Sequence, residues 1–200
     1  MEVITVYPTG FASNSHIVTA DGKDCILIDC AQERAIKECK GRNLTLRAVL
    51  LTHGHFDHIG GCAAAQREGA EIFCGAGEEE RILSDENENV FGEKVDAFEI
   101  SGTFKDGEEI EMCGLKIKVI STAGHTAGGV CYLIGVCLFT GDTLFRGSVG
   151  RCDFPTGDAR SLTASVKKLY ALEGDYKVYC GHGEPTTLDY ERKFNPFVRG

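Results

Sequence analysis

Three histidines and one aspartate crowd into a single short run, Thr52-His53-Gly54-His55-Phe56-Asp57-His58, in a chain that has only six histidines among its 200 residues. Imidazole nitrogens and carboxylate oxygens are the ligands that zinc and similar ions take, at roughly 2.0–2.2 Å. Gly54 permits backbone angles that a residue with a side chain resists, which lets His53 and His55 face one ion. Asp57 and His58 then begin a helix and point at a second position. Three further residues stand in one kind of context: His125 in Ala123-Gly124-His125, Asp142 in Thr140-Gly141-Asp142, and His182 in Cys180-Gly181-His182-Gly183. Each follows an apolar strand-like run and has a glycine beside it, as a tight loop over a sheet edge requires. A single histidine of this kind reads as a core or surface residue. Seven such residues together, His53, His55, Asp57, His58, His125, Asp142 and His182, read as the ligands of a two-metal pocket.

The remaining chemistry-bearing residues read differently. His16 lies inside a strand pattern without acidic or histidine neighbours and is expected to be a hydrogen-bonded structural histidine. The glycines of residues 124–129 lack the GK[ST] and GxGxxG patterns of phosphate loops, which argues against nucleotide binding. The ten cysteines contain no CxxC pair. Most are expected to be small buried hydrophobes, neither disulfides nor zinc thiolates.

The elements that position these residues follow from hydrophobic periodicity. Strands are expected at residues 3–7, 15–19 and 25–29, separated by turns at Pro8-Thr9-Gly10 and Ala20-Asp21-Gly22. A helix over 31–40 stops at Gly41. Residues 46–52 form a near-continuous apolar run, as in a strand covered on both faces, and the histidine cluster begins at its end. A helix over 58–68, a strand over 71–74 and a helix over 77–83 come next. The polar stretch 84–96 reads as a solvated surface connection, with a rim or lid over the site as the alternative. Strands at 98–100, 109–112, 115–122, 130–134 and 136–140, a helix over 159–172 and a strand at 177–180 complete the pattern. Two runs of adjacent strands interleaved with helices imply two sheets, each with helices on its outer face: a four-layer αββα sandwich of the α/β class.

Composition bounds what such a chain does. At 42% hydrophobic and 26% charged, it has enough apolar material for one sizeable core, so residues 1–200 read as one domain. A net charge of -9 without a Lys/Arg cluster argues against nucleic-acid and anionic-membrane partners. The start of the chain has neither the basic region nor the long apolar stretch of a secretory signal, and no run is long enough to span a bilayer, so a cytoplasmic location is expected.

The run His53-Gly54-His55-Phe56-Asp57-His58, with His125, Asp142 and His182, resembles the metallo-β-lactamase superfamily over nearly the whole chain. The resemblance implies the αββα sandwich. It also implies that His53, His55 and His125 hold one ion, that Asp57, His58 and His182 hold another, and that Asp142 bridges them. The segments Thr140-Gly141-Asp142-Thr143-Leu144-Phe145, Gly150-Arg151-Cys152-Asp153-Phe154-Pro155 and Tyr179-Cys180-Gly181-His182-Gly183 are most similar to type II glyoxalases, or hydroxyacylglutathione hydrolases, of the short bacterial type. The chain is expected to do without the C-terminal helical region that helps the longer glyoxalases hold glutathione. Arg151 stands where those enzymes have a basic glutathione contact and is the expected substrate-binding residue, whereas Asp153 and Glu184 each stand in place of a tyrosine.

This resemblance implies a metal-dependent thioester hydrolase acting on a small-molecule substrate with two divalent ions. Zinc is the expected metal, with iron or manganese as alternatives. Two ions roughly 3.5–4 Å apart lower the pKa of a shared water, and the hydroxide attacks the thioester carbonyl. Asp57 is expected to orient that water as well as ligate metal. The competing functions are a persulfide dioxygenase with a single iron, another metallo-hydrolase such as a lactonase or phosphodiesterase, and a non-catalytic metal-binding module. Metal content and a substrate panel separate them.

Overall fold

The computed structural model describes residues 1–84 and 86–200. Three strands, β1 (Glu2–Val6), β2 (Ser15–Thr19) and β3 (Asp24–Ile28), run antiparallel in succession. Helix α1 (Glu33–Gly41) crosses to β4 (Thr45–Leu50), which lies parallel to β3. Two short helices, α2 (Phe56–Ile59) and α3 (Cys62–Arg67), lead to β5 (Glu71–Gly75), parallel to β4. Helices α4 (Glu79–Ile82) and α5 (Glu86–Phe91) precede β6 (Gly102–Phe104), parallel to β5. These six strands form one sheet in sequence order.

The second half begins as an antiparallel meander of β7 (Glu109–Met112), β8 (Leu115–Ser121), β9 (Val130–Ile134) and β10 (Cys137–Gly141). A small hairpin, β11 (Leu144–Phe145) with β12 (Ser148–Val149), follows. Helix α6 (Ala159–Tyr170) is capped by Asp158, whose carboxylate accepts the Ser161 backbone N–H at 2.6 Å. It returns the chain to β13 (Lys177–Cys180), parallel to β10. The short strand β14 (Thr186–Thr187) and helix α7 (Leu188–Phe194) complete this half. The second sheet has the order β14-β13-β10-β9-β8-β7.

Strand periodicity of two sends successive side chains into different cores. In β3, Cys25 and Leu27 join one cluster with Ala35, Ile36, Cys39 and Ala65 of the flanking helices, while Ile26 and Ile28 join another. That second cluster also takes Val130, Tyr132, Ile134 and Phe139 from the opposite sheet, so it fills the space between the sheets. In the same way Cys131 and Leu138 turn outward to meet Val166, Leu169 and Leu188 of α6 and α7. Three cores between four layers make the αββα sandwich, as the sequence pattern implies. Each large side chain fully removed from water contributes about 1.5–3 kcal/mol, so the central strands anchor the loops they carry.

Several boundaries differ from those expected. The helix over 58–68 is broken into α2 and α3 at Gly60 and Gly61, because the chain there lies against the loop after β3. A Cβ on Gly60 would stand 2.8 Å from the Ala31 carbonyl, and one on Gly61 2.7 Å from Cys30 Sγ. Residues 98–100 do not pair, although Phe98 is buried and Ile100 partly so; the ladder to β5 is made by β6 instead. The stretch 84–96 contains α5 and is not a plain connection, although Asp85 within it lies outside the described residues. All ten cysteines are free thiols, and eight of them are buried. His16 is a buried structural residue, as expected. Its Nε2–H donates to the Cys180 carbonyl at 3.3 Å and its Nδ1 accepts from Thr5 Oγ1 at 3.1 Å.

Candidate metal centre

The carboxyl ends of β4 in the first sheet and of β8, β10 and β13 in the second lead into loops that meet at one end of the sandwich and carry the histidines and carboxylates read from the sequence. His53, His55, Asp57 and His58 follow β4, His125 follows β8, Asp142 follows β10 and His182 follows β13. All seven converge. Within each of three groups the ligand atoms lie within 4.8 Å of one another: His53, His55 and His125; His53, His58 and Asp142; Asp57, His58 and His182. Asp142 sits in the middle. Its Oδ1 is 3.3 Å from His58 Nε2, while its Oδ2 is 3.6 Å from both His125 Nε2 and His182 Nε2. Asp57 Oδ2 stands 3.1 Å from His182 Nε2 and 3.8 Å from His58 Nε2.

Hydrogen bonds behind the rings fix which nitrogen faces inward. Asp29, at the end of β3, accepts the Thr52 N–H at 2.7 Å, the Thr52 hydroxyl at 2.8 Å and His58 Nδ1–H at 2.8 Å. The Thr52 oxygen, its own proton committed to Asp29, accepts His53 Nδ1–H at 3.1 Å. His125 Nδ1–H donates to the Arg151 carbonyl at 2.7 Å. His53, His58 and His125 therefore all turn Nε2 to the centre, where His125 Nε2 stands 2.8 Å from His55 Nδ1.

The orphaned atoms test whether a cation fits. His53 Nε2, His55 Nε2, His58 Nε2 and Asp142 Oδ1 are buried without a hydrogen-bond partner. Unpaired buried polar atoms are costly, and those of His53, His58 and Asp142, which form one ligand group, are what a cation would satisfy. Nitrogen and carboxylate oxygen in these numbers suit zinc, iron and manganese alike. The packing leaves little else to fit there. A Cβ on Gly181 would stand 2.2 Å from Asp142 Oδ1 and 2.7 Å from His58 Cε1. Gly141, at φ +47°, lies so close to Thr52 that a Cβ would meet its Oγ1 at 2.2 Å.

The electrostatics divide the ligands into two sets. Burial pushes His53 well below the usual histidine range, with the neighbouring histidines adding to the effect. Burial and then the Arg81 guanidinium bring His55 down to about 2, and burial lowers His125. These three stay neutral. For His58, burial works in the lowering direction but is outweighed by the carboxylates of Asp29, Asp142 and Asp57, which hold it well above the ordinary value. His182 is raised by its bond to Asp57. Burial of Asp142 opposes its ionisation, yet His58, His182 and His125 keep its carboxyl below the carboxylate range.

Arg151 lies at the rim with its side chain largely exposed. Its guanidinium makes two 2.7 Å bonds to Asp153 and stacks over the Phe154 ring at 3.9 Å. Its backbone carbonyl is what touches the centre, through His125. Beside Asp57 a groove of about 310 Å³ opens, lined in part by Phe11, Gln32, Phe56 and Lys94. Sequence reasoning missed Asp29, Thr52 and Arg151's carbonyl as the groups that orient the histidines. Asp29 alone left a signal, as an acidic residue closing the apolar run of β3, in the same position on its strand that Asp142 holds on β10.

Comparison with known proteins gives this centre a context. The family model described as the metallo-beta-lactamase superfamily matches residues 8–182. A hydroxyacylglutathione hydrolase, GloC, of Haemophilus influenzae is 35% identical over 209 residues, covering 99% of this chain and 97% of that protein. Among solved structures, the BLEG-1 B3 metallo-beta-lactamase superposes with a TM-score of 0.92 at 29% identity, covering 100% of both chains. TTHA1623, solved in a di-iron-bound form, gives a TM-score of 0.84 at 29% identity, covering 99% of this chain and 100% of its own.

Proposed function

The chain belongs to the metallo-beta-lactamase superfamily, and from that premise we propose that it is a cytoplasmic, metal-dependent thioester hydrolase of the glyoxalase II type, working as one catalytic domain. The observation that carries the metal-dependent part is the set of orphaned ligand atoms converging on Asp142. The 35% identity to a hydroxyacylglutathione hydrolase along nearly its full length supports the thioester part. No helix among the described residues is long and apolar enough to cross a membrane.

His53, His55 and His125 would hold one divalent ion and Asp57, His58 and His182 a second, with Asp142 standing between the two groups. Zinc is the expected metal, with iron or manganese as alternatives; the di-iron form of TTHA1623 supports both the pair and iron. When bound, the ions supply Lewis acidity, activating water and polarising the thioester carbonyl. Asp57, with a partly exposed carboxylate turned to the groove, orients the attacking water and takes its proton. The groove beside it receives the thiol half of the substrate. Asp29, Thr52 and the Arg151 carbonyl keep Nε2 of His58, His53 and His125 turned inward through the cycle. The Arg151 side chain meets an acidic group of the substrate at the rim, its charge partly offset by Asp153.

Steady-state hydrolysis of S-lactoylglutathione beside other thioesters, with metal analysis of the same sample, tests this reading. Turnover of a thioester with two ions per chain supports it. Failure on every thioester, with turnover of a lactone or phosphodiester, moves the protein to another branch of the superfamily. One iron per chain with oxygen consumption on a persulfide replaces hydrolysis by dioxygenation.

A further inference from the structure

Behind the metal centre, the chain buries a second carboxylate that the hydrolytic mechanism does not use. Glu78 is completely buried, at the start of α4. Its Oε2 accepts the Gly54 N–H at 2.8 Å and its Oε1 accepts the Gly128 N–H at 3.0 Å. Gly54 lies between His53 and His55, and Gly128 lies three residues beyond His125. One side chain thus joins the loop after β4 to the loop after β8, and these two loops carry all three histidines of the first ligand group.

Burying a carboxylate costs several kcal/mol unless charge and hydrogen bonds compensate it. Here the two amide bonds satisfy the carboxylate, and Arg81 adds a nearby charge without a hydrogen bond to it, its own Nη1 and Nη2 being buried without a partner. Arg81 Nη1 stands 3.7 Å from Glu78 Oε2, and Arg81 Nε is held by Glu86 at 2.8 Å. Asn87 grips the same loop from the other side, donating to the Gly54 carbonyl at 3.1 Å and accepting the Phe56 N–H at 3.0 Å. Small residues let this apparatus approach. A Cβ on Gly128 would lie 2.6 Å from Glu78 N and 2.9 Å from Glu78 Cγ, and one on Gly54 would lie 2.4 Å from Ile82 Cγ1. A neutral glutamine in place of Glu78 would point an N–H group at one of two N–H donors, so only the carboxylate satisfies both loops.

We propose that Glu78 is a positioning residue for the metal centre, setting the spacing of His53 and His55 relative to His125, with Arg81 beside its carboxylate and Asn87 holding the loop after β4 from the other side. The inference rests on the metal reading of those histidines and goes beyond it by assigning a role to the segment between β5 and β6. Groups behind the ligands of a metal commonly change its affinity 10–100-fold when altered.

The test uses the full chain, stripped of metal and titrated with Co2+ in competition with a chelator, for wild type, Glu78→Gln and Glu78→Asp. Amide exchange at Gly54 and Gly128 is followed alongside. In Glu78→Gln one of the two ions is expected to bind roughly 10–100-fold more weakly, with a changed visible absorption spectrum, while the other is unaffected. Glu78→Asp recovers part of the loss. Affinities within twofold of wild type and an unchanged spectrum, while amide protection at Gly54 or Gly128 is lost, overturn the proposal and leave Glu78 a fold-stabilising residue only. Should Glu78→Gln fail to fold, Asn87→Asp removes a single donor to the Gly54 carbonyl; a shift of the same absorption band supports the proposal and an unmoved band overturns it. Wild-type protein that takes up no Co2+ overturns the metal reading itself, a failure visible before any variant is compared.

Discussion

Replacing Asp29 by asparagine isolates the effect of histidine orientation from that of ligand loss. The substitution keeps the side-chain shape, and the backbone accepts it: Asp29 sits at φ +57°, a conformation that asparagine tolerates nearly as well. What changes is one oxygen. Oδ1 still accepts the Thr52 N–H, but the position of Oδ2, which takes both the Thr52 hydroxyl and His58 Nδ1–H, becomes an NH2 donor. His58 must then either face a donor with a donor or move its proton to Nε2, the atom that looks at Asp142 Oδ1 from 3.3 Å. Either choice forfeits a hydrogen bond to a charged group, worth about 1.5–3 kcal/mol. At 1.4 kcal/mol per tenfold, that is roughly 10–100-fold in affinity for the ion that His58 holds. Chelator competition with Zn2+ or Co2+ reads both ions separately, and circular dichroism checks that the fold is intact. Two ions bound with affinities within about threefold of wild type would refute the claim that Asp29 sets the state of His58.

Three further outcomes follow from the same geometry. Gly181→Ala forces a Cβ to within 2.2 Å of Asp142 Oδ1, so thioesterase activity should fall by roughly 100-fold with secondary structure unchanged; retention of wild-type kcat would mean that the loop after β13 yields easily. Arg151→Ala removes a rim guanidinium already paired with Asp153 but leaves the carbonyl on His125, so KM should rise by roughly three- to tenfold on an acidic thioester while kcat and metal content hold; an equal loss of kcat would place the side chain in the chemistry instead. His16, buried and held near pKa 4 by loss of solvation, binds its proton more readily in the unfolded chain. Stability should therefore fall as pH drops from about 6.5 to 4, by about 3 kcal/mol for this group. Urea denaturation of metal-free wild type and His16→Gln at pH 7 and 4.5 measures it, and equal losses in the two proteins would remove His16 as the cause.

The site was legible where rare side chains do the work themselves and illegible where they act on the backbone. Six histidines in 200 residues make the placement of His53, His55 and His58 conspicuous, and the glycines before His125, Asp142 and His182 mark strand ends without any knowledge of pairing. Glu78 and Asn87 have no comparable mark. Their partners are the amides of Gly54, Phe56 and Gly128, up to 50 residues away, and every residue but proline supplies an amide.

The same reason hid α5 and α7. Hydrophobic periodicity finds a helix by its apolar face, yet the face that α5 buries holds Asn87, and α7 buries Glu191 beside Leu188. Glu191 accepts from Gly147 N–H, Thr186 and Asn195, and so fastens the hairpin after β10 as Glu78 fastens the loop after β4. Residues 98–100 show the converse: Phe98 and Ile100 pack on the outer core as the pattern requires, but no ladder forms until Gly102, because apolar alternation reports burial and leaves pairing to the neighbouring strand. A stretch of sequence that is polar, helix-compatible and adjacent to a ligand motif therefore carries more structural information than its composition suggests. In this chain the polar face is turned inward, toward the backbone of the loops that hold the histidines.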